Sequence, residues 1–161
     1  EAVRTFRAGG GRGTVNMNTN GSRPQALDEL RAAGLDSVRV SLNSARRPLY
    51  DAYYRPKGFA HADVLAFVAE AKRLGLFVSL NYLFVPGVND TEDELAALTE
   101  LAGTTGLDFI QLRNLNLDPE LYLDLVPREM TGPSMGLGHF MSRLQRACPG
   151  LKFGYFNPYL G

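Results

Sequence analysis

The chain has 161 residues, 45% hydrophobic and 21% charged, with 17 basic residues against 17 acidic and a formal net charge of zero. That is the make-up of one ordinary globular domain, 1–161; the charge balance argues against a nucleic-acid binder, and no apolar run is long enough to span a membrane. Its single cysteine, Cys148, excludes an internal disulfide and fits a reducing, cytoplasmic setting.

The chain opens in a helical pattern, Glu1 to Ala8, halted by Gly9-Gly10-Gly11, and we read that opening as a cut inside a longer protein. A first strand is expected near Thr14 to Thr19. A helix follows from about Arg23 to Ala33, with Ser22 and Gln25 as a capping box and Gly34 as its stop. A second strand covers Ser37 to Asn43, then a short helix around Leu49 to Tyr53 and a turn at Arg55-Pro56-Lys57-Gly58. A long helix, Ala62 to Leu74, ends at Gly75, and a third strand runs from Phe77 to Val85. Thr91 and Glu94 form a second capping box, opening a helix that reaches Gly103. A fourth strand covers Asp108 to Asn114. Leu115 to Pro133 reads as irregular, followed by a helix from Met135 to Arg146 and a last strand at Leu151 to Phe156. Strands alternating with helices imply a parallel sheet.

A parallel sheet covered on both faces has near-continuous apolar strands, and these strands are different. Val38, Val40 and Leu42 alternate with Arg39, Ser41 and Asn43; Val15 and Met17 with Asn16, Asn18 and Asn20; Leu80 and Tyr82 with Ser79 and Asn81; Ile110 and Leu112 with Gln111 and Arg113. Successive strand side chains point to opposite faces, so the polar set shares one side. An unpaired buried amide costs about 1–3 kcal/mol. We therefore expect an α/β fold, a partial parallel β/α barrel with helices outside and a polar ligand inside. The three lysines, Lys57, Lys72 and Lys152, lie off the strands, which argues against a Schiff-base aldolase. His61 and His139 are isolated, and no clustered ligands indicate zinc or another metal. Any demanding chemistry has to come from a cofactor.

Four segments carry a resemblance. Asn18-Thr19-Asn20-Gly21 is similar to the Thr-Asn-Gly strand end of radical S-adenosylmethionine (radical SAM) enzymes, and Val38-Arg39-Val40-Ser41-Leu42-Asn43 to their next strand. Leu80-Asn81-Tyr82 through Pro86-Gly87-Val88-Asn89-Asp90, with Glu92 and Glu94, resembles the fifth-strand segment of the branch holding molybdopterin-precursor cyclases and peptide-modifying enzymes. Tyr53-Tyr54-Arg55-Pro56-Lys57-Gly58-Phe59 fits it too. The resemblance spans about residues 12–118, leaves 119–161 as a variable extension, and implies about four βα units of a six-unit barrel.

What the resemblance implies is an enzyme that, intact, reductively cleaves S-adenosylmethionine to a 5′-deoxyadenosyl radical with a 4Fe–4S cluster. The three-cysteine loop that holds the cluster has no counterpart here, so this portion is expected to assemble no cluster and to be inactive alone. By position, Ser41, Asn43, Val85, Gly87, Val88, Leu112 and Arg113 are expected to contact the cofactor, and Asn18, Asn20, Asn81 and Gln111 the substrate, a small molecule or peptide. No residue is assigned a catalytic role. Arg113 departs from related branches and suits a carboxylate or phosphate. A first strand without a neighbour is expected to pair with a second copy, giving a homodimer. Two other readings stay open: a metal-independent or sugar-phosphate-binding barrel, and a non-catalytic interaction domain.

Overall fold

A computed structural model describes residues 1–115, 117–154 and 160. Its framework is a five-stranded sheet in the order β1-β2-β3-β4-β5, every neighbouring pair parallel. The strands are β1 (Asn16–Thr19), β2 (Ser37–Leu42), β3 (Phe77–Phe84), β4 (Phe109–Asn114) and β5 (Lys152–Phe153). Helix α1 (Ala2–Ala8) precedes β1, and α2 (Leu27–Ala32) joins β1 to β2. Helices α3 (Arg47–Tyr54) and α4 (His61–Arg73) join β2 to β3, and α5 (Glu92–Thr105) leads to β4. Two more, α6 (Pro119–Leu125) and α7 (Leu137–Ala147), lie between β4 and β5.

The registers account for the alternation. Val40 pairs with Leu80 and Leu80 with Ile110, all 0% exposed, so this apolar row lies under the helices with Val64, Phe67, Val68 and Leu98. Across the sheet, Ser41 pairs with Asn81 and Asn81 with Gln111. Asn18 pairs with Arg39, Arg39 with Ser79, and Leu83 with Arg113. These residues form one polar wall opposite the helices, as the two-residue period requires.

Several local expectations are corrected. The Ser22–Gln25 box is absent: a 3₁₀ turn, Pro24–Ala26, starts at Arg23 without a side-chain cap and only then becomes α2. Proline at that first position suits a helix entry because it has no N–H to satisfy. The stretch read as irregular contains α6, where Asp118 caps the N–H groups of Glu120 and Leu121, and a second 3₁₀ turn, Arg128–Met130. The close of the strand expected at Leu151 to Phe156 lies outside the described residues. Helix α5 runs past Gly103 to Thr105 and stops at Gly106, whose φ of 71° is the left-handed C-cap conformation.

Charged pairs fix the foot of the sheet. Asp36, just before β2, accepts from the Val15 N–H at 2.6 Å and from Arg7 Nη2 at 2.5 Å, and Arg7 also reaches the Gly34 and Gly13 carbonyls. Helix α1 is thereby tied to the start of β1 and β2. Nearby, the Leu160 N–H donates to Thr14 Oγ1 at 2.9 Å.

Candidate functional site

The polar wall opens at the carboxyl ends of the strands into a cleft of 190 Å³ lined by Tyr53, Tyr54, Asn81, Leu83, Arg113 and Asn114. β3 and β4 deliver Asn81, Leu83 and Arg113 by alternation, and the last turn of α3 brings in both tyrosines. Arg55, immediately after that helix, adopts φ 45° and ends it sharply. The tyrosine rings stand edge to face with centroids 4.8 Å apart. Burial, then the neighbouring tyrosines, raises the Tyr54 phenol well above its ordinary value, so it stays protonated and can donate a hydrogen bond.

Beside the cleft, Gln111 is 2% exposed and its Oε1 has no hydrogen-bond partner among the described residues. Ser79 is fully buried, donates to the Val38 carbonyl at 3.3 Å and accepts from Arg39 Nε. Burial, and then the charge of Arg113, lowers the pKa of Arg39. The two guanidinium groups therefore share one field. The donors and acceptors present suit a polar ligand with acceptor edges for the arginines and a donor for Gln111.

The sequence-predicted residues separate into two groups. Ser41, Asn81, Gln111 and Arg113 share the wall, with Asn18 exposed at its β1 side. Leu112 points the other way and packs against the main core, leaving only its backbone toward the cleft side. Asn20 lies beyond β1, where its Oδ1 accepts from the Ser22 N–H at 3.1 Å in a local turn.

Asn43 is a correction. It is 0% exposed, and its amide donates to the Leu49 carbonyl at 2.9 Å beneath α6 instead of standing on the open wall. The Tyr122 hydroxyl lies beside it; burial pushes that phenol up to about 12, opposed by Asn43, although neither Asn43 Oδ1 nor the hydroxyl has a partner of good geometry among the described residues. Val88 is 1% exposed inside a second apolar cluster with Leu49, Leu83, Tyr122 and Val126, a place that serves packing. Gly87 accepts from the Gly132 N–H at 2.8 Å, and Val85 receives both the Val88 and Asn89 N–H groups on its carbonyl.

Residues expected to contact neither cofactor nor substrate hold these strand ends together. Glu94 is fully buried and accepts from Ser44 Oγ at 2.5 Å, the Ala45 N–H at 2.7 Å, Arg46 Nε at 3.0 Å and the Tyr82 hydroxyl. It was expected to close a capping box. Thr91 does accept from the Glu94 N–H, at 3.4 Å, but the carboxylate turns inward. Asn89 Nδ2 donates to the Asn43 carbonyl at 2.5 Å, and its Oδ1 accepts from the Val85 N–H. Asp90 accepts from the Gly87 and Gly136 N–H groups and from the Ser134 hydroxyl. A larger open groove of 770 Å³ lies between α5 and α7 on the outer layer, lined by none of the residues of the polar wall.

The model of the radical SAM superfamily matches residues 1–99. The chain belongs to that superfamily. A GTP 3′,8-cyclase of Chlorobaculum tepidum is 32% identical over 155 residues, covering 94% of this chain and 44% of the relative. One from Streptomyces coelicolor is 38% identical over 80 residues, 48% of this chain and 23% of the relative. This member of the superfamily thus spans less than half the length of either. Among solved structures, a radical SAM methyltransferase from Sphaerobacter thermophilus aligns with a TM-score of 0.56 at 17% identity, over 89% of this chain and 40% of that one. The hydrogenase maturase HydG aligns with a TM-score of 0.60 at 18% identity, over 94% and 35%. Both share the fold, a TIM-like barrel of which the five parallel strands here form an arc. No helix among the described residues is long and apolar enough to cross a membrane.

The cofactors of the superfamily fit these residues unequally. A polar wall with an orphaned buried carbonyl oxygen at Gln111 suits S-adenosylmethionine, a ligand rich in donors and acceptors. For the cluster, the sequence offers one cysteine, and the described residues contain no group of three or more His, Cys, Asp or Glu able to hold a metal.

Proposed function

We propose that this radical SAM chain forms one side of an S-adenosylmethionine cradle and that the cluster is held by residues it does not supply. The observation that carries the reading is the buried Gln111 Oε1, unpartnered among the described residues, on a wall shared with Ser41, Asn81 and Arg113. A ligand N–H or O–H directed at that oxygen removes a desolvation cost of about 1–3 kcal/mol. Bound to a reduced cluster, S-adenosylmethionine supplies the radical chemistry of the superfamily. The contribution of this chain is orientation: Arg113 and Asn81 hold polar edges, Ser41 offers a hydroxyl, and Tyr53 and Tyr54 wall the cleft. In this reading Asn81 and Gln111, which the resemblance assigned to the substrate, hold the cofactor, and the substrate, a small molecule or peptide, lies toward Asn18.

Lacking the cluster that chelates the amino and carboxyl groups of methionine, the chain alone binds S-adenosylmethionine weakly, on the order of millimolar, and turns nothing over. Titration followed by amide chemical shifts tests this. Shifts concentrated at Ser41, Asn81, Gln111 and Arg113 are expected; micromolar affinity, or shifts confined to the outer helices, overturns the reading. Incubation with iron and sulfide is expected to give no cluster absorbance.

A further inference from the structure

Glu94 lies on the helical side of the sheet, away from the cleft, yet its contacts converge on the backbone that leaves the polar wall. Two donors meet Oε2, the Ser44 hydroxyl and Arg46 Nε, and two meet Oε1, the Ala45 N–H and the Tyr82 hydroxyl. Residues 44–46 lie one residue past the end of β2, which carries Ser41, and Tyr82 follows Asn81 on β3. Arg46 extends the same grip, donating to the Val88 carbonyl at 3.2 Å and the Met130 carbonyl at 3.4 Å. One buried ion pair therefore fixes the exits of β2 and β3 relative to each other. Such a pair is weak evidence for stability, because desolvation offsets much of its attraction, but it does select one arrangement over its neighbours.

We infer that Glu94 is a positioning residue for the cradle: through residues 44–46 and Tyr82 it sets the spacing of Ser41 from Asn81, and so the affinity of the wall for its ligand. The inference rests on the cofactor-cradle reading. All four donors need an acceptor, and a glutamine at 94 offers one oxygen and two hydrogens, so two of the four lose theirs.

The test is the S-adenosylmethionine titration repeated on Glu94→Gln and on Leu98→Ala, a core truncation on the same helix at a 0% exposed position, both under conditions where the spectra show a folded chain. Glu94→Gln is expected to weaken the Ser41 and Asn81 shift response about fivefold or more. Leu98→Ala lowers the melting temperature and leaves the response unchanged. Ser44→Ala, which removes a single donor, shows a smaller loss in the same direction and replaces Glu94→Gln if that variant does not fold. An equal loss in Leu98→Ala, or an undiminished response in Glu94→Gln, overturns the positioning role while leaving the cradle standing. No response in the unsubstituted chain overturns both.

Discussion

Lys72 Nζ lies 2.7 Å from both carboxylate oxygens of Asp108, and Asp108 also accepts from the Val78 N–H at 2.7 Å. The end of α4 is thus joined to the foot of β4 and to β3 through one carboxylate. Asp108→Ala strips the acceptor from a strand N–H as well as from the ammonium group, and is expected to cost about 1–3 kcal/mol. Lys72→Met keeps the aliphatic stem and the Val78 bond and is expected to cost less, about 1 kcal/mol or below, since the pair is partly solvated. Urea unfolding of both variants checks the order. Equal losses would show that the charge pair, and not the strand N–H, carries the effect.

Asn89 makes two bonds that no other residue type reproduces together: a donor to the Asn43 carbonyl and an acceptor for the Val85 N–H. Asn89→Ala leaves both backbone groups unmatched, at an expected cost of about 2–4 kcal/mol with an unchanged urea m-value. Asn89→Asp keeps the acceptor but faces a carboxylate to the Asn43 carbonyl, so it does not recover the loss. Recovery by aspartate would mean that the Asn43 contact contributes nothing.

The alternation of Val38-Arg39-Val40-Ser41 made the wall legible in the sequence, because a period of two leaves few ways to place the polar face. Register was not legible, yet it decides that Ser41, Asn81 and Gln111 lie in one row. Asn43 shows where the pattern stops: one residue beyond β2 the backbone turns, and the side chain follows the loop to Leu49. Glu94 shows a second limit. Local spacing made it a capping partner for Thr91, but Ser44, Arg46 and Tyr82 are distant in sequence and outcompete the Thr91 backbone for its carboxylate. The segment Leu115 to Pro133 hid α6 because its first turn depends on Asp118 and Pro119, a short signal in a stretch otherwise rich in turn formers.

His61 supplies a pH dependence. It is 4% exposed at the start of α4, packs on Tyr50 at 4.8 Å between ring centroids, and has a buried Nε2 without a partner among the described residues. Burial lowers its pKa, opposed by a hydrogen bond with the Ser44 backbone. The folded value therefore lies below the unfolded value of about 6.5. The stabilisation is fully present above pH ~6.5 and is lost as pH falls from there toward the folded value, because the unfolded chain binds the proton first. Stability therefore falls with falling pH in that window, with a slope bounded at about 1.4 kcal/mol per pH unit for one group. His61→Phe removes it. Unfolding free energies from pH 7.5 to 5 should converge between the two proteins as pH falls; parallel curves would rule out His61 as the source.

The edge of the sheet bears on assembly. Among the described residues β1 pairs with β2 alone. The Ser37 N–H donates to the Val15 carbonyl, so by parallel alternation Val15, Met17 and Thr19 bond inward while Asn16 and Asn18 direct their N–H and C=O groups to the open edge. An unpaired edge is a template for another strand, and a two-fold axis beside β1 would let a second copy satisfy the same groups on both chains. We propose that the isolated chain self-associates there as a homodimer. Asn18→Lys places a charge at an exposed edge position without touching the β1–β2 ladder, and two such charges would meet across the axis. Sedimentation velocity is expected to show a dimer for the unsubstituted chain and a shift to monomer for Asn18→Lys, more complete at low salt, where the repulsion is least screened. A chain that sediments as a monomer at every concentration, or a dimer indifferent to the substitution, would place any partner elsewhere.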